Sequence, residues 1–168
     1  IKNYSESTDQ AQTSRVSIKL LSIKEMLKMW ATFVRSALIG TIIGILPAAG
    51  GTIASLVGYG VAVKADKNPE RFGTGAYEGV IAPEASNNAA VGGSMVPTLT
   101  LGIPGSATSA VIMAVLTIQG LTPGPLLIRN QPTLLYGIFI SIVIASLLLF
   151  VVGRFITRQF ARVLKLPY

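Results

Sequence analysis

Leu101-Gly102-Ile103-Pro104-Gly105-Ser106 interrupts an apolar run over 76–118, and Leu46-Pro47-Ala48-Ala49-Gly50-Gly51 interrupts another over 36–62. Neither stretch can continue an ordinary helix. Proline lacks the N–H that the helical ladder needs, and glycine favours turns. The interruptions echo one another: Gly44-Ile45-Leu46-Pro47 matches Gly102-Ile103-Pro104. Each is followed by glycine and then a hydroxyl, Thr52 or Ser106, of the kind that caps a new helix. The predicted unit is therefore a pair of short apolar helices around a break, used twice.

The rest of the chain says which solvent these helices meet. Of 168 residues, 51% are hydrophobic and only 12% charged, with mean hydropathy +0.61. Soluble domains carry roughly 25% charge, so the composition indicates a bilayer. Seventeen glycines and nine prolines agree, both being commoner in membrane helices than in soluble ones. The stretch 132–153 is uncharged and long enough to cross a bilayer. The segments lack the alternation of a membrane barrel. The expected fold is an all-α integral membrane protein with broken transmembrane helices and a re-entrant hairpin, flanked by amphipathic interfacial helices.

Four regions follow. Residues 1–17 are a polar linker. Residues 18–35 form an amphipathic interfacial helix, with a capping box from Ser22 to Glu25 and a staple between Leu21 and Met26. Residues 36–153 form the membrane-embedded domain fragment. Residues 154–168 place Arg154, Arg158, Arg162 and Lys165 on one face of a basic interfacial helix. A first residue Ile1 and the lack of a signal peptide mark the chain as a piece of a longer one.

The net charge of +7 raises nucleic-acid binding. The basic residues, however, flank the apolar runs as topology signals do, so that class is set aside. No Cys or His is present, which removes thiol catalysis, Cys/His zinc sites and histidine relays. The basic ends put both termini in the cytoplasm. Parity then requires one broken segment to cross and the other to turn back. The loop 63–75 carries three basic and two acidic residues and is placed in the cytoplasm, with 120–130 outside. The hairpin accordingly lies at 36–62 and the broken crossing within 76–118.

Broken backbone at membrane depth is tolerated where protein buries it or water reaches it. Secondary transporters build sites from such breaks, with half-helix N-termini facing anions and freed carbonyls facing cations. The candidate substrate and ion residues are Pro47, Gly50, Gly51 and Thr52 at the first break. At the second they are Gly102, Pro104, Gly105, Ser106, Thr108 and Ser109. A plain proline kink without ligand is the competing reading. Asn87 and Asn88 supply neutral oxygens suited to sodium; interhelical hydrogen bonding, or a headgroup-level helix start after Pro83, competes. Glu84 is read either as part of this cluster or as a helix cap. Arg35 reads as a snorkelling charge, with a substrate-carboxylate role as the other option. The small residues over 85–94 let helices approach closely. With no acid–base pair, triad or phosphate loop, an enzyme is not expected.

At this point the residues resemble a known family. Phe72-Gly73-Thr74-Gly75-Ala76-Tyr77-Glu78-Gly79-Val80-Ile81-Ala82-Pro83-Glu84-Ala85-Ser86-Asn87-Asn88-Ala89 is similar to the large membrane subunit of tripartite tricarboxylate transporters. So are Pro97-Thr98-Leu99-Thr100-Leu101-Gly102-Ile103-Pro104-Gly105-Ser106-Ala107 and Gly120-Leu121-Thr122-Pro123-Gly124-Pro125. The likeness runs over about 37–127 and places this chain in the second half of that subunit. One departure is Ala48, where the family commonly has glycine after the proline. The resemblance implies a bacterial inner-membrane protein working with a small membrane subunit and a periplasmic solute-binding protein that delivers a carboxylate such as citrate. It also implies uptake driven by a sodium or proton gradient, without a cofactor. A non-transporting membrane scaffold and an intramembrane enzyme are the alternatives.

Overall fold

The computed structural model describes residues 22–163. The expected linker, the Leu21 arm of the staple and Lys165 lie outside them. Among the described residues the structure is helical, without strands: α1 (Ile23–Lys28), α2 (Trp30–Ile45), α3 (Gly50–Ala65), a 3-10 turn (Pro69–Arg71), α4 (Glu78–Leu101), α5 (Ala107–Ile118), α6 (Pro125–Asn130) and α7 (Pro132–Val163).

α1 starts where the capping box places it, with the Ser22 N–H donating to Glu25 Oε2 at 2.8 Å. The amphipathic stretch is not one helix. Met29, with ψ 13°, separates α1 from α2, so Trp30 to Arg35 form the opening turns of α2. At the other end α7 runs on through Gly153 to Val163 without a junction between the apolar span and the basic segment. α7 is also the one described helix long and apolar enough to cross a membrane, over Pro132–Thr157; α2 and α5 are shorter apolar helices.

α2, α3 and α4 form the tightly packed unit, and small residues build it. α2 buries Ser36, Gly40 and Gly44; α3 buries Ala54, Gly58 and Ala62. Four-residue spacing puts each trio on one face. A Cβ on Gly40 would fall on the Ser86 carbonyl, one on Gly44 on the Ala90 carbonyl, and one on Gly93 on the Thr41 carbonyl. From Gly40 against Ser86 to Gly44 against Ala90 the contacts advance along both helices together, so α2 and α4 run in the same direction, backbone against backbone. The buried Ser86 hydroxyl donates to the Ser36 carbonyl at 2.9 Å across this contact. α3 runs the opposite way. Gly51 meets Asn87, the Ser55 hydroxyl donates to the Pro83 carbonyl at 3.2 Å, and Gly58 meets Ser86 and Ala82. α2 and α3 are thus a helical hairpin laid along α4.

α4 continues through Pro83 and Pro97. Each proline removes one ladder bond, and each follows a glycine, Gly79 or Gly93, by four residues. The carbonyl left without its partner therefore sits where the backbone has most freedom.

The polar loop before α4 is organised. Arg71 pairs with Asp66 at 3.5 Å and with Glu78. Phe72 packs edge-on against Tyr59, centroids 5.8 Å apart. Asn68 stands at the N-cap position of the turn opened by Pro69, its N–H donating to Asp66 Oδ1 at 2.9 Å. Beyond α5, the N–H of Gly124 donates to the Leu99 carbonyl at 3.1 Å. Met95, Leu99, Leu116 and Leu127 form a second core, with Leu134, Leu135, Ile138 and Ile142 of α7 against it.

Candidate functional site

The helical path is interrupted at both expected places, with shifted edges. The first gap is 46–49; Gly50 and Gly51 already belong to α3. Leu46 is extended, ψ 123°, as the residue before proline must be. Ala48 carries φ +62°, alone among the described non-glycine residues in the left-handed region, and Gly50 follows at φ +67°. The family-typical glycine position after the proline is therefore occupied by a residue that pays for its conformation, about 1–2 kcal/mol. The second gap is 102–106. Gly102 ends α4 in the left-handed region, φ +70°, and the N–H groups of Gly102 and Ile103 donate to Thr98 and Pro97 carbonyls at 3.2 and 3.3 Å.

The chain then drops back along α4. The Gly105 N–H donates to Thr98 Oγ1 at 3.4 Å, and Ser106 Oγ meets Ser94 Oγ at 3.1 Å. A Cβ on Gly105 would stand 2.8 Å from Ser94 Cβ and 3.1 Å from the Gly44 carbonyl oxygen. The two breaks thus touch: the end of α2 meets the turn into α5. Ser106 and Ser109 cap α5 reciprocally, Ser106 N–H to Ser109 Oγ at 2.9 Å and Ser109 N–H to Ser106 Oγ at 3.2 Å.

Helix directions follow. α5 starts at the level of Ser94 and ends with Leu116 beside Leu99, so it runs the same way as α4. α3 starts at the level of Asn87 and runs the other way. Their N-termini look toward one another across the stretch of α4 between Asn87 and Ser94, about 10 Å at 1.5 Å per residue. That stretch is the middle third of the 24-residue α4. Each terminus carries a partial positive charge. No side chain caps α3. At α5 the capping box takes two N–H groups, leaving those of Ala107 and Thr108 for other acceptors.

The expected site residues separate into two groups. Gly51, Asn87, Gly105, Ser106 and Ser109 come together around the middle of α4. Asn87 Oδ1 lies directly against Gly51. Asn88, on the same helix, is exposed, as are Pro47, Thr52 and Thr108 at the outer sides of the breaks. Pro104 and Gly102 shape the second turn, and Gly102 abuts the Pro123 carbonyl. Pro83 lies inside α4, so the amides do not mark a helix start. Among the described residues no three His, Cys, Asp or Glu side chains converge; a cation at this level would meet amide, hydroxyl and carbonyl oxygens.

Sequence reasoning missed the fully buried Ser94 and Thr98, which anchor the second break. It also missed the Ser36/Gly40/Gly44 and Ala54/Gly58/Ala62 faces. The signal was present as four-residue spacing of small residues in an apolar run.

The sequence model described as the Tripartite tricarboxylate transporter TctA family matches residues 1–168. An uncharacterized 52.8 kDa protein in the TAR-I ttuC' 3' region of Agrobacterium vitis is 38% identical over 163 residues, 97% of this chain and 32% of the relative. A protein in the TAR-II ttuC' 3' region of the same organism is 43% identical over 129 residues, 77% of this chain and 53% of the relative. This chain thus spans between a third and about half the length of these curated relatives. No solved structure matches.

Proposed function

Because the chain belongs to the tripartite tricarboxylate transporter TctA family, we propose that it is the site-bearing portion of a membrane subunit of a secondary transporter that imports carboxylates. The observation that carries this reading is the pair of opposed helix N-termini, α3 beside Asn87 and α5 beside Ser94, which face one another along the middle of α4. Free backbone N–H groups and two positive dipole ends suit an anionic carboxylate. Exposed Asn87 and Asn88 supply neutral oxygen for a coupling ion, Na+ or a proton-bearing water. A scaffold explains the small-residue packing of α2 to α4. It gives no reason for two amides on an exposed helix face.

The same reading sets the topology. α2 and α3 have 16 residues each, about 24 Å at 1.5 Å per residue, short of a ~30 Å hydrocarbon core. They form a re-entrant hairpin with its tip near mid-bilayer. α4 and α5 make one net crossing with a step back between them, and α7 returns. The charged loop after α3 is then cytoplasmic, and the α6 loop faces the periplasm. The subunit sits in the inner membrane with a small membrane partner, and a periplasmic solute-binding protein delivers the substrate. An ion gradient drives uptake.

The test is uptake of labelled citrate by the full-length subunit with its partner subunits, comparing wild type with Asn88→Leu at matched membrane abundance. Asn88 is exposed, so its replacement leaves the packing among the described helices intact. Uptake is expected to fall at least about tenfold, equivalent to ~1.4 kcal/mol. Undiminished uptake would remove Asn88 from the site. Gly105→Val would not probe the site cleanly, because the added carbon meets Ser94 rather than a ligand.

A further inference from the structure

We infer that Glu84 is the group that binds the coupling cation, an inference that rests on the transporter reading above. α4 is continuous from Glu78 to Leu101. Glu84, Asn87 and Asn88, at positions i, i+3 and i+4, therefore share one face. Glu84 lies in the second turn of α4, while Glu78 occupies the first. It therefore does not cap that helix. It stands one turn from Asn88, about 5–6 Å along the axis, on the side of the hairpin tip nearer the start of α4.

Glu84 is the last acidic residue in the chain, and among the described residues it has no ion-pair partner. On α2, Arg35 lies near the Ser36–Ser86 contact, is exposed and makes no ion pair with Glu84. α3 carries no charge from Gly50 through Val63; Lys64, in its last turn, is exposed and makes no ion pair with Glu84, and the Tyr59 ring packs on Phe72. α5 carries none. Arg129 of α6 lies beyond the Leu99 end of α4. Arg71 is taken by Asp66 and Glu78.

The Glu84 side chain is exposed, as are those of Asn87 and Asn88, and at the depth that the proposed topology gives it an unpaired carboxylate is costly unless it meets water, a proton or a cation. Here it also borders a site for anions. A bare Glu84 repels a carboxylate substrate, whereas a neutralised Glu84 does not. Cation and substrate therefore favour one another's binding, and the coupling is reciprocal. The cation is monovalent: a proton taken up by the carboxylate, or sodium shared between a Glu84 oxygen and the amide oxygens of Asn87 and Asn88. Both neutralise the same charge.

The experiment reconstitutes the full-length complex in liposomes with wild type, Glu84→Gln and Glu84→Asp. It measures citrate accumulation driven by a sodium gradient at fixed pH or by a pH gradient without sodium, together with gradient-free citrate exchange. Glutamine mimics the neutralised state. Glu84→Gln is expected to retain exchange and lose accumulation. The gradient that drives wild type identifies the cation. Glu84→Asp is expected to accumulate with a shifted cation dependence. Wild-type accumulation by Glu84→Gln overturns the assignment, and so does loss of exchange together with accumulation at normal membrane abundance. Should Glu84→Gln fail to insert, an unshifted cation dependence in Glu84→Asp overturns it alone. A wild-type complex inert toward carboxylates refutes the transporter reading instead.

Discussion

Gly40→Ala tests whether backbone contact between α2 and α4 fixes the depth of the hairpin tip. The new methyl carbon would fall on the Ser86 carbonyl and lie 2.7 Å from Ser86 Cα. Ordinary carbon contacts begin near 3.5 Å, so the helices must part by roughly 1 Å. That separation stretches the buried bond from Ser86 Oγ to the Ser36 carbonyl, now 2.9 Å, beyond useful range. Overpacking costs about 1–3 kcal/mol, and the lost bond about 1 kcal/mol more. Replacing a helical glycine by alanine returns about 1 kcal/mol of propensity. The net expectation is a loss of ~1–3 kcal/mol. Gly60→Ala supplies the control. It makes the same chemical change in the interior of α3, where a Cβ meets nothing within 4 Å, and should gain ~0.5–1 kcal/mol. The assay is denaturant unfolding of the purified full-length subunit in mixed micelles, followed by circular dichroism. Equal stability of the two variants would refute the close-contact argument.

Two further outcomes are expected. Ala48→Gly relieves the left-handed strain at φ +62°. After the added chain entropy of glycine it should stabilise the subunit by about 0.5–1 kcal/mol in the same assay; a decrease would contradict the left-handed turn. In a cysteine-free background, single cysteines at Lys67 and Asn130 should react oppositely with an impermeant reagent added from outside, Asn130 labelled and Lys67 protected. Equal labelling would contradict the proposed topology.

Much of the helical path was legible because its determinants are local. Pro47 and the Gly102-Ile103-Pro104-Gly105 stretch stop helices wherever they stand, since a missing N–H and a missing Cβ act on the residue's own backbone. Ser22 with Glu25 is likewise a local cap, and it occurs where the sequence puts it. The edges were less legible. Gly50 and Gly51 read as part of the break but start α3, and Met29 divides what reads as one helix, because helix ends depend on what neighbouring backbone can accept.

The candidate site was legible as a set of residues but not as a place. Gly, hydroxyl and amide residues near two proline breaks could be picked from the chain, and the capping serines Ser106 and Ser109 were among them. Only the tertiary structure brings Gly44 against Gly105 and Asn87 against Gly51. It does so through contacts between residues more than thirty positions apart, which no local rule encodes. The opposed directions of α3 and α5 also depend on those contacts. So does the exposure of Asn88, whereas Ser94 and Thr98 on the same helix are buried. The sequence by itself determined apolar helices, their breaks and the family, because hydropathy, proline and glycine act locally. Tertiary structure decided which helix ends meet, because the depth at which α2 sits on α4 is set by the close fit of Gly40 and Gly44 against the carbonyls of Ser86 and Ala90.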